Sequence, residues 1–321
     1  MTVMVTGGAG YIGSHVVRLL HERGDSVVVV DDMSNGIASR IEGLPLERID
    51  VSSHTAPEQL GEVIKRYNVD AVVHFAAKKM AGESVEKPIK YYRNNVAGLA
   101  NLLEALVAHN VNRLVFSSSA LVYGMQDRLL LAEENVGQHP SNPYGETKLI
   151  GEWMIDDVAA VSDLRAIKLR YFNVAGAGWP ELADTAVQNL IPIVLNQVEN
   201  GEQSVIFGDD YPTDDGTCIR DYIHVKDLAE AHVVALDALE AGSNPQSVYN
   251  VGTGNGSSVR EVIAALSDAL GRPIDAVVGD RRPGDPARLV ADVTAARQDL
   301  GWKAEYGLQE IAQSSVEARG Q

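Results

Sequence analysis

The chain has 321 residues, 45% of them hydrophobic and 22% charged, and 27 basic against 44 acidic side chains leave a formal net charge of −17. It is too long for one minimal domain and apolar enough for a large core, which excludes global disorder. A general nucleic-acid binder carries a basic surplus, so no nucleic-acid partner is expected.

Val3 to Thr6 is a short apolar strand that stops at glycine. Ile12, Val16, Leu19 and Leu20 then recur at helical spacing, and Gly24 closes that helix. Val27 to Val30 is a continuous β-branched run, the signature of a strand buried on both faces. The pattern predicts a helix over 57–67, a strand over Ala71 to Phe75, a helix over 95–108 and a strand over Leu114 to Phe116. A helix over 144–158 and a strand over Ala166 to Leu169 follow. Strand and helix alternate to about residue 175, which predicts an α/β fold with a doubly wound parallel (Rossmann) sheet. Beyond it, Asn173 to Asp184 and Gly208 to Gly216 read as binding loops. Helices are expected at 187–199, 226–240, 258–270 and 307–318, with strands near 204–207 and 247–251. The expected division is 1–175 for the dinucleotide domain, with later contributions near 221–251, and 176–321 for a smaller substrate-binding domain.

The single cysteine, Cys218, allows no internal disulfide and no four-cysteine zinc site, and fits a reducing compartment. No apolar run approaches the roughly 20 residues of a membrane helix, and Met1 to Val5 lacks a secretory pattern. The expectation is a cytoplasmic protein with no membrane partner.

The first strand ends in Gly7, Gly10 and Gly13, spaced G-x-x-G-x-x-G before an amphipathic helix. Gly7 suits the tight turn, Gly10 the close approach of a pyrophosphate, and Gly13 close helix–strand packing. The helix N-terminus then offers free N–H groups to the phosphates. Asp31 ends the second strand, where a carboxylate accepts the adenosine ribose hydroxyls and repels a 2′-phosphate; this favours NAD over NADP. Asp32 is an equally placed candidate, and Asp50 is a candidate for the adenine amino group.

Tyr144 and Lys148 stand at i and i+4, on one face of a predicted helix. A tyrosine is a poor base at neutral pH, and a neighbouring ammonium is expected to lower its pKa. Ser119 follows the preceding strand, at the edge where a doubly wound sheet places its ligands, and suits a hydroxyl partner of Tyr144.

Together with TGGAGYIG at 6–13, HFAAKKMAGESVEKP at 74–88, SSSALVYG at 117–124, YGETK at 144–148 and RYFNVAGA at 170–177, these pieces resemble the extended short-chain dehydrogenase/reductase family. The similarity runs over nearly the whole chain. FGDDYPTDDGTCIRDYIHVKDLAEAH at 207–232 and RRPGDPARLVAD at 281–292 resemble the nucleotide-sugar epimerases within it. The resemblance implies interconversion of UDP-glucose and UDP-galactose by transient NAD-dependent oxidation at the sugar C4. It makes Tyr144 the catalytic base, Lys148 its activator and ribose ligand, and Ser119 its partner at the sugar hydroxyl.

The same resemblance gives NAD a set of further contacts. Tyr11, Ile12, Asn35 and Val51 fall on one part of it, Phe75, Ala76, Ala77 and Lys79 on a second, and Asn94, Ser117 and Phe172 on a third. It gives the UDP-sugar Lys79, Asn173, Asn189 and Leu190, then Val205, Ile206 and Phe207, and finally Arg220, Arg282, Asp285 and Leu289. Two arginines meeting a diphosphate also match the guanidinium fork to phosphate oxygens.

Leu121 replaces a frequent threonine, and 177–188 is shorter than in many relatives. The size of Leu289 bears on whether an N-acetylated sugar fits. The competing readings are another nucleotide-sugar epimerase, dehydratase or decarboxylase of the family, one accepting UDP-N-acetylhexosamines, and a non-catalytic NAD sensor. Dehydratases carry an Asp-Glu pair where this chain has Ala120 and Leu121, and sensors lose the Tyr/Lys pair. The helices at 95–108 and 144–158 resemble those that pair in family homodimers. His74, His224 and Cys218 read as packed side chains, and Asp209, Asp210, Asp214 and Asp215 lack the spacing of a calcium loop, so no metal is expected.

Overall fold

The computed structural model describes the chain except residues 127, 135–138, 244–245, 283–284 and 321. Strands β1 (Thr2–Thr6), β2 (Ser26–Val30), β3 (Leu46–Glu47), β4 (Ala71–His74), β5 (Arg113–Ser117) and β6 (Arg165–Tyr171) come first. They are followed by β7 (Asn173–Ala175), β8 (Ser204–Phe207), β9 (Ile219–His224) and β10 (Val248–Val251). The central sheet has seven strands in the order β10-β6-β5-β4-β1-β2-β3, and every neighbouring pair is parallel.

Period-2 alternation sorts the sheet's side chains into two apolar layers. Val3, Val5, Val27 and Val29 face one core, with helices Tyr11–Arg23 and Val225–Ala241. Met4, Val28 and Val30 face the other, with helices Ala56–Tyr67 and Ala97–Ala108. The continuous valine run therefore has a partner on both faces. Gly24 ends the first helix at φ +93°, a left-handed cap that its missing Cβ makes easy. The strand order reverses between β1 and β4, which opens a crevice at their carboxyl ends.

After β6 the chain divides its attention. β10 pairs with β6, and helix Val225–Ala241 packs on the sheet. A separate sheet forms around β9, with β7, β11 (Gly256–Ser258) and β13 (Arg288–Leu289), while β12 (Ala276–Gly279) pairs with β8. Helices Leu190–Glu199, Val259–Leu270 and Leu308–Glu317 supply this part's own apolar cluster.

Strand β9 is not legible as a strand, because IRDYIH carries charges. Its Asp221 is nevertheless fully buried. The carboxylate accepts from Thr253 N at 2.8 Å, Thr253 Oγ1 at 2.7 Å, Gly254 N at 3.0 Å and Ala291 N at 3.2 Å. Four donors make that burial tolerable. The helix expected at 95–108 is preceded by a π turn, Tyr92–Val96.

Candidate active site

The turn after β1 is built on close backbone approach. Gly7 has φ +73°, and a Cβ there would stand 2.8 Å from the Ala76 nitrogen. A Cβ on Gly13 would meet the Gly7 oxygen at 2.3 Å. These two glycines bring the N-terminus of helix Tyr11–Arg23 to the sheet edge with its amides free, which suits a diphosphate.

A cleft of about 530 Å³ opens there. It is lined by every residue the sequence assigns to NAD except Ser117 and Phe172. Asp31 is buried in its wall, accepting from Met33 N at 2.8 Å and Ala9 N at 3.1 Å. Burial pushes its carboxyl up, and the backbone donors pull it back. Its position fits a ribose, and the glycine turn fits the diphosphate.

Ser117 stays out of the cleft: its Oγ donates to the Tyr171 hydroxyl at 2.8 Å. Its carbonyl accepts from Lys148 Nζ at 2.7 Å. Phe172 sits in an apolar cluster that includes Leu289 and Tyr123. Its neighbour Tyr171 lines the cleft instead, as the alternation of an extended chain requires. Sequence reasoning missed Tyr171, Arg40, Lys78, Asp184, Thr185, Ala186 and Gln188, all of which line the cleft. Lys78 and Tyr171 lie inside the motifs at 74–88 and 170–177, which were the available signal for them; Arg40 and the residues from 184 to 188 lie in none.

Tyr144 enters the cleft from helix Pro143–Val161. Asn142 caps that helix by accepting from Gly145 N at 2.9 Å, and Pro143 occupies its first turn. The Tyr144 side chain is buried and hydrogen-bonded to Ser119. Ser119 Oγ also accepts from Leu121 N at 3.2 Å, which fixes the turn it stands on. Lys148, one helical turn on, lies 5.9 Å from the Tyr144 ring centroid and 5.1 Å from that of Phe116.

Burial pushes the Tyr144 phenol well above its ordinary range; Tyr171 adds to this, and the Ser119 bond pulls it down. The lowering expected from Lys148 does not prevail. The ammonium spends its hydrogen bond on the Ser117 carbonyl, and burial lowers Lys148 itself to about 8, against an upward pull from Glu152.

Glu152, one turn beyond Lys148, anchors the floor of the site. Arg170 grips it through Nε at 2.9 Å and Nη2 at 2.5 Å, and Ser118 Oγ donates to it at 2.5 Å. Arg170 also reaches Tyr123 OH at 3.2 Å, and Tyr123 donates to Asn250 Oδ1 at 2.6 Å. Helix Pro143–Val161, the turn after β5, β6 and β10 are thereby tied by one buried polar network.

The residues assigned to the sugar nucleotide fall mostly outside this cleft. Arg220, buried on β9, is ion-paired with Asp285 and donates to the Ile219 carbonyl at 2.7 Å. Leu289 lies opposite Arg220 in register, and Asn173 opposite Tyr222. Arg282 stacks over Phe207 at 4.0 Å from the ring centroid. Val205 and Ile206 lead along β8 to Phe207, and Asn189 stands at the N-cap of the helix that Leu190 begins. The structure thus gathers Arg220, Asp285, Arg282 and Phe207 from separate segments, with two guanidiniums and an aromatic face among them.

His74 bonds Thr6 Oγ1 at 2.7 Å, and His224 bonds Ser314 Oγ at 3.1 Å; burial lowers them to about 3 and about 4. No cluster of three or more metal-type ligands occurs among the described residues. No helix among them is long and apolar enough to cross a membrane.

A model of the NAD dependent epimerase/dehydratase family matches residues 3–252. The chain belongs to that family. It is 44% identical to a UDP-glucose 4-epimerase of Corynebacterium glutamicum over 309 residues, 95% of this chain and 92% of the relative. A solved UDP-glucose 4-epimerase from Brucella ovis in complex with NAD superposes with TM-score 0.94 at 40% identity, covering 99% of this chain and 98% of that one. One from Bifidobacterium longum, in complex with NAD+ and UDP, gives 0.90 at 39% identity, over 100% and 98%.

Proposed function

We propose that this protein interconverts UDP-glucose and UDP-galactose with NAD as its resident cofactor, as an isomerase of nucleotide-sugar metabolism. The observation that carries the reading is the grouping of Tyr144, Ser119 and Lys148 at a dinucleotide-shaped cleft, in a chain so similar to proteins of that name. Gly7, Gly10, Gly13 and Asp31 would hold the dinucleotide, together with Asn94 and Lys148, which line the same cleft. When bound, NAD supplies the redox chemistry, taking up hydride from the sugar C4 and returning it by way of a 4-keto sugar.

Tyr144 takes the proton of the sugar 4-hydroxyl. Ser119 donates to the phenol oxygen and aligns it. Lys148, held by the Ser117 carbonyl, presents its positive charge beside the phenol and favours the phenolate. Arg220 and Arg282 grip the diphosphate, and Phe207 offers an aromatic face. A firm hold on UDP with a loose hold on the sugar lets the hexose turn within the site. Residues 1–175 with the later strand and helix near 221–251 form the NAD-binding part, and 176–321 the UDP-sugar part. The protein acts in the cytoplasm as a homodimer.

The test is to incubate purified protein with UDP-galactose, without added NAD, and assay for UDP-glucose. Conversion is expected. No conversion even with NAD supplied removes the reading, and conversion only with added NAD removes its resident-cofactor part.

A further inference from the structure

One cation of the cleft lies outside every motif. Arg40 belongs to the short 3-10 turn Ala38–Ile41 that follows β2. That turn is docked on the glycine loop: Ile37 N donates to the Ala9 carbonyl at 3.0 Å, and Arg40 N to the Ile37 carbonyl at 3.1 Å. Arg40 is only 9% exposed, yet it lines the cleft together with Gly7, Gly10 and Tyr11. One of its fork nitrogens donates to the Ala183 carbonyl. Its Nε is buried without a hydrogen-bond partner, and the Asp184 carboxylate, whose own buried Oδ2 is also unpartnered, acts on it electrostatically without forming an ion pair. Asp184, next to Ala183, also lines the cleft, as do Thr185, Ala186 and Gln188.

Buried charges are normally paired, and burial pulls the Arg40 guanidinium down despite Asp184, so an under-compensated cation in a cleft wall points to a ligand anion. The planar fork matches phosphate oxygens, and the first-turn amides of helix Tyr11–Arg23, which have no partner within the helix, form the other half of such a site. Those amides carry only partial charges, in a chain of net charge −17. A full positive charge beside them changes the balance for a diphosphate. The same side chain reaches the 183–188 stretch, so one residue faces both the anion and the opposite wall.

We propose that Arg40 is a further cofactor-holding residue. Its guanidinium meets the dinucleotide's diphosphate, and its bond to the Ala183 carbonyl ties the 183–188 stretch against the bound cofactor. This rests on the reading of the cleft as an NAD site.

The experiment compares the wild-type protein with Arg40→Met and Arg40→Lys. Each is loaded with NAD and freed of unbound nucleotide, and the NAD still bound is released by heat and quantified over time. Arg40→Met keeps the stem without the fork and is expected to lose NAD roughly tenfold faster or more, the scale of one charge-assisted bond. Added NAD then raises its turnover of UDP-galactose. Arg40→Lys keeps the charge without the fork and is expected to fall between, with greater sensitivity to salt. Equal retention in wild type and Arg40→Met overturns the assignment while leaving the NAD site in place. Should Arg40→Met fail to fold, Arg40→Lys decides: wild-type retention at both low and high salt overturns the proposal. A wild-type protein that retains no NAD after loading overturns the underlying reading instead.

Discussion

As the proposed base, Tyr144 carries opposing demands. A base needs a phenolate, and the burial that excludes water from the site opposes one. Ser119 and the positive charge of Lys148 act in the phenolate's favour. Replacing Tyr144 by Phe removes the proton acceptor and is expected to lower UDP-galactose turnover by roughly 10²–10⁴-fold; a variant with undiminished turnover removes Tyr144 as the base. Lys148 adds a pH dependence with a definite sign. Burial brings it to about 8, so its proton leaves as pH rises through that value. The support for the phenolate goes with the proton, and the pH profile of kcat/KM for UDP-galactose is expected to turn down above about 8. Lys148→Arg holds its charge and is expected to abolish that alkaline fall; an unchanged profile in this variant assigns the fall to another group.

Helix Pro143–Val161 serves two surfaces. Its buried face carries Tyr144, Lys148 and Glu152 at successive turns, aimed at the cleft and at Arg170. Its outer face leaves Trp153 49% and Val161 86% exposed, and Val107 on helix Ala97–Ala108 is 47% exposed. Large apolar side chains exposed on two helices are the basis for the proposed helix-to-helix dimer. Light scattering is expected to give twice the 34.5 kDa of the chain, and Trp153→Glu to shift the mass toward one chain. A wild-type mass near 34.5 kDa removes the dimer.

Acid sensitivity belongs to the molecule as a whole. His15, His224 and His232 are lowered by burial to about 4, and His74 to about 3. Between the ordinary histidine value near 6.5 and those values, the unfolded chain binds protons that the folded chain refuses. Stability therefore falls as pH drops through that window, by up to about 1.4 kcal/mol per pH unit for each such histidine. Buried carboxyls raised by their surroundings, such as Asp31 and Asp221, act in the opposite direction. The urea midpoint is expected to drop from pH 7 to pH 5, and a flat profile counts against four neutral buried histidines.

Much of this protein is legible along the chain because local physics writes it there. A β-branched run, a glycine where φ turns positive and a tyrosine four residues from a lysine each need only neighbours a few residues away. The strand β1, the turn at Gly7, the cap at Gly24 and the Tyr144/Lys148 face could therefore be read from the order of residues. Strand β9 could not, because the burial of Asp221 depends on donors from Thr253, Gly254 and Ala291. The phenol's ionisation also escaped local reading: Lys148 is its neighbour on the helix, but Ser117 and the surrounding burial come from elsewhere in the chain. Arg40 is the extreme case. An arginine in a turn carries no local mark, and its meaning arises where the glycine loop and residue 183, remote in sequence, meet around one cleft. Side-chain periodicity and backbone conformation are short-range properties; desolvation and the matching of charges depend on whatever the fold brings alongside.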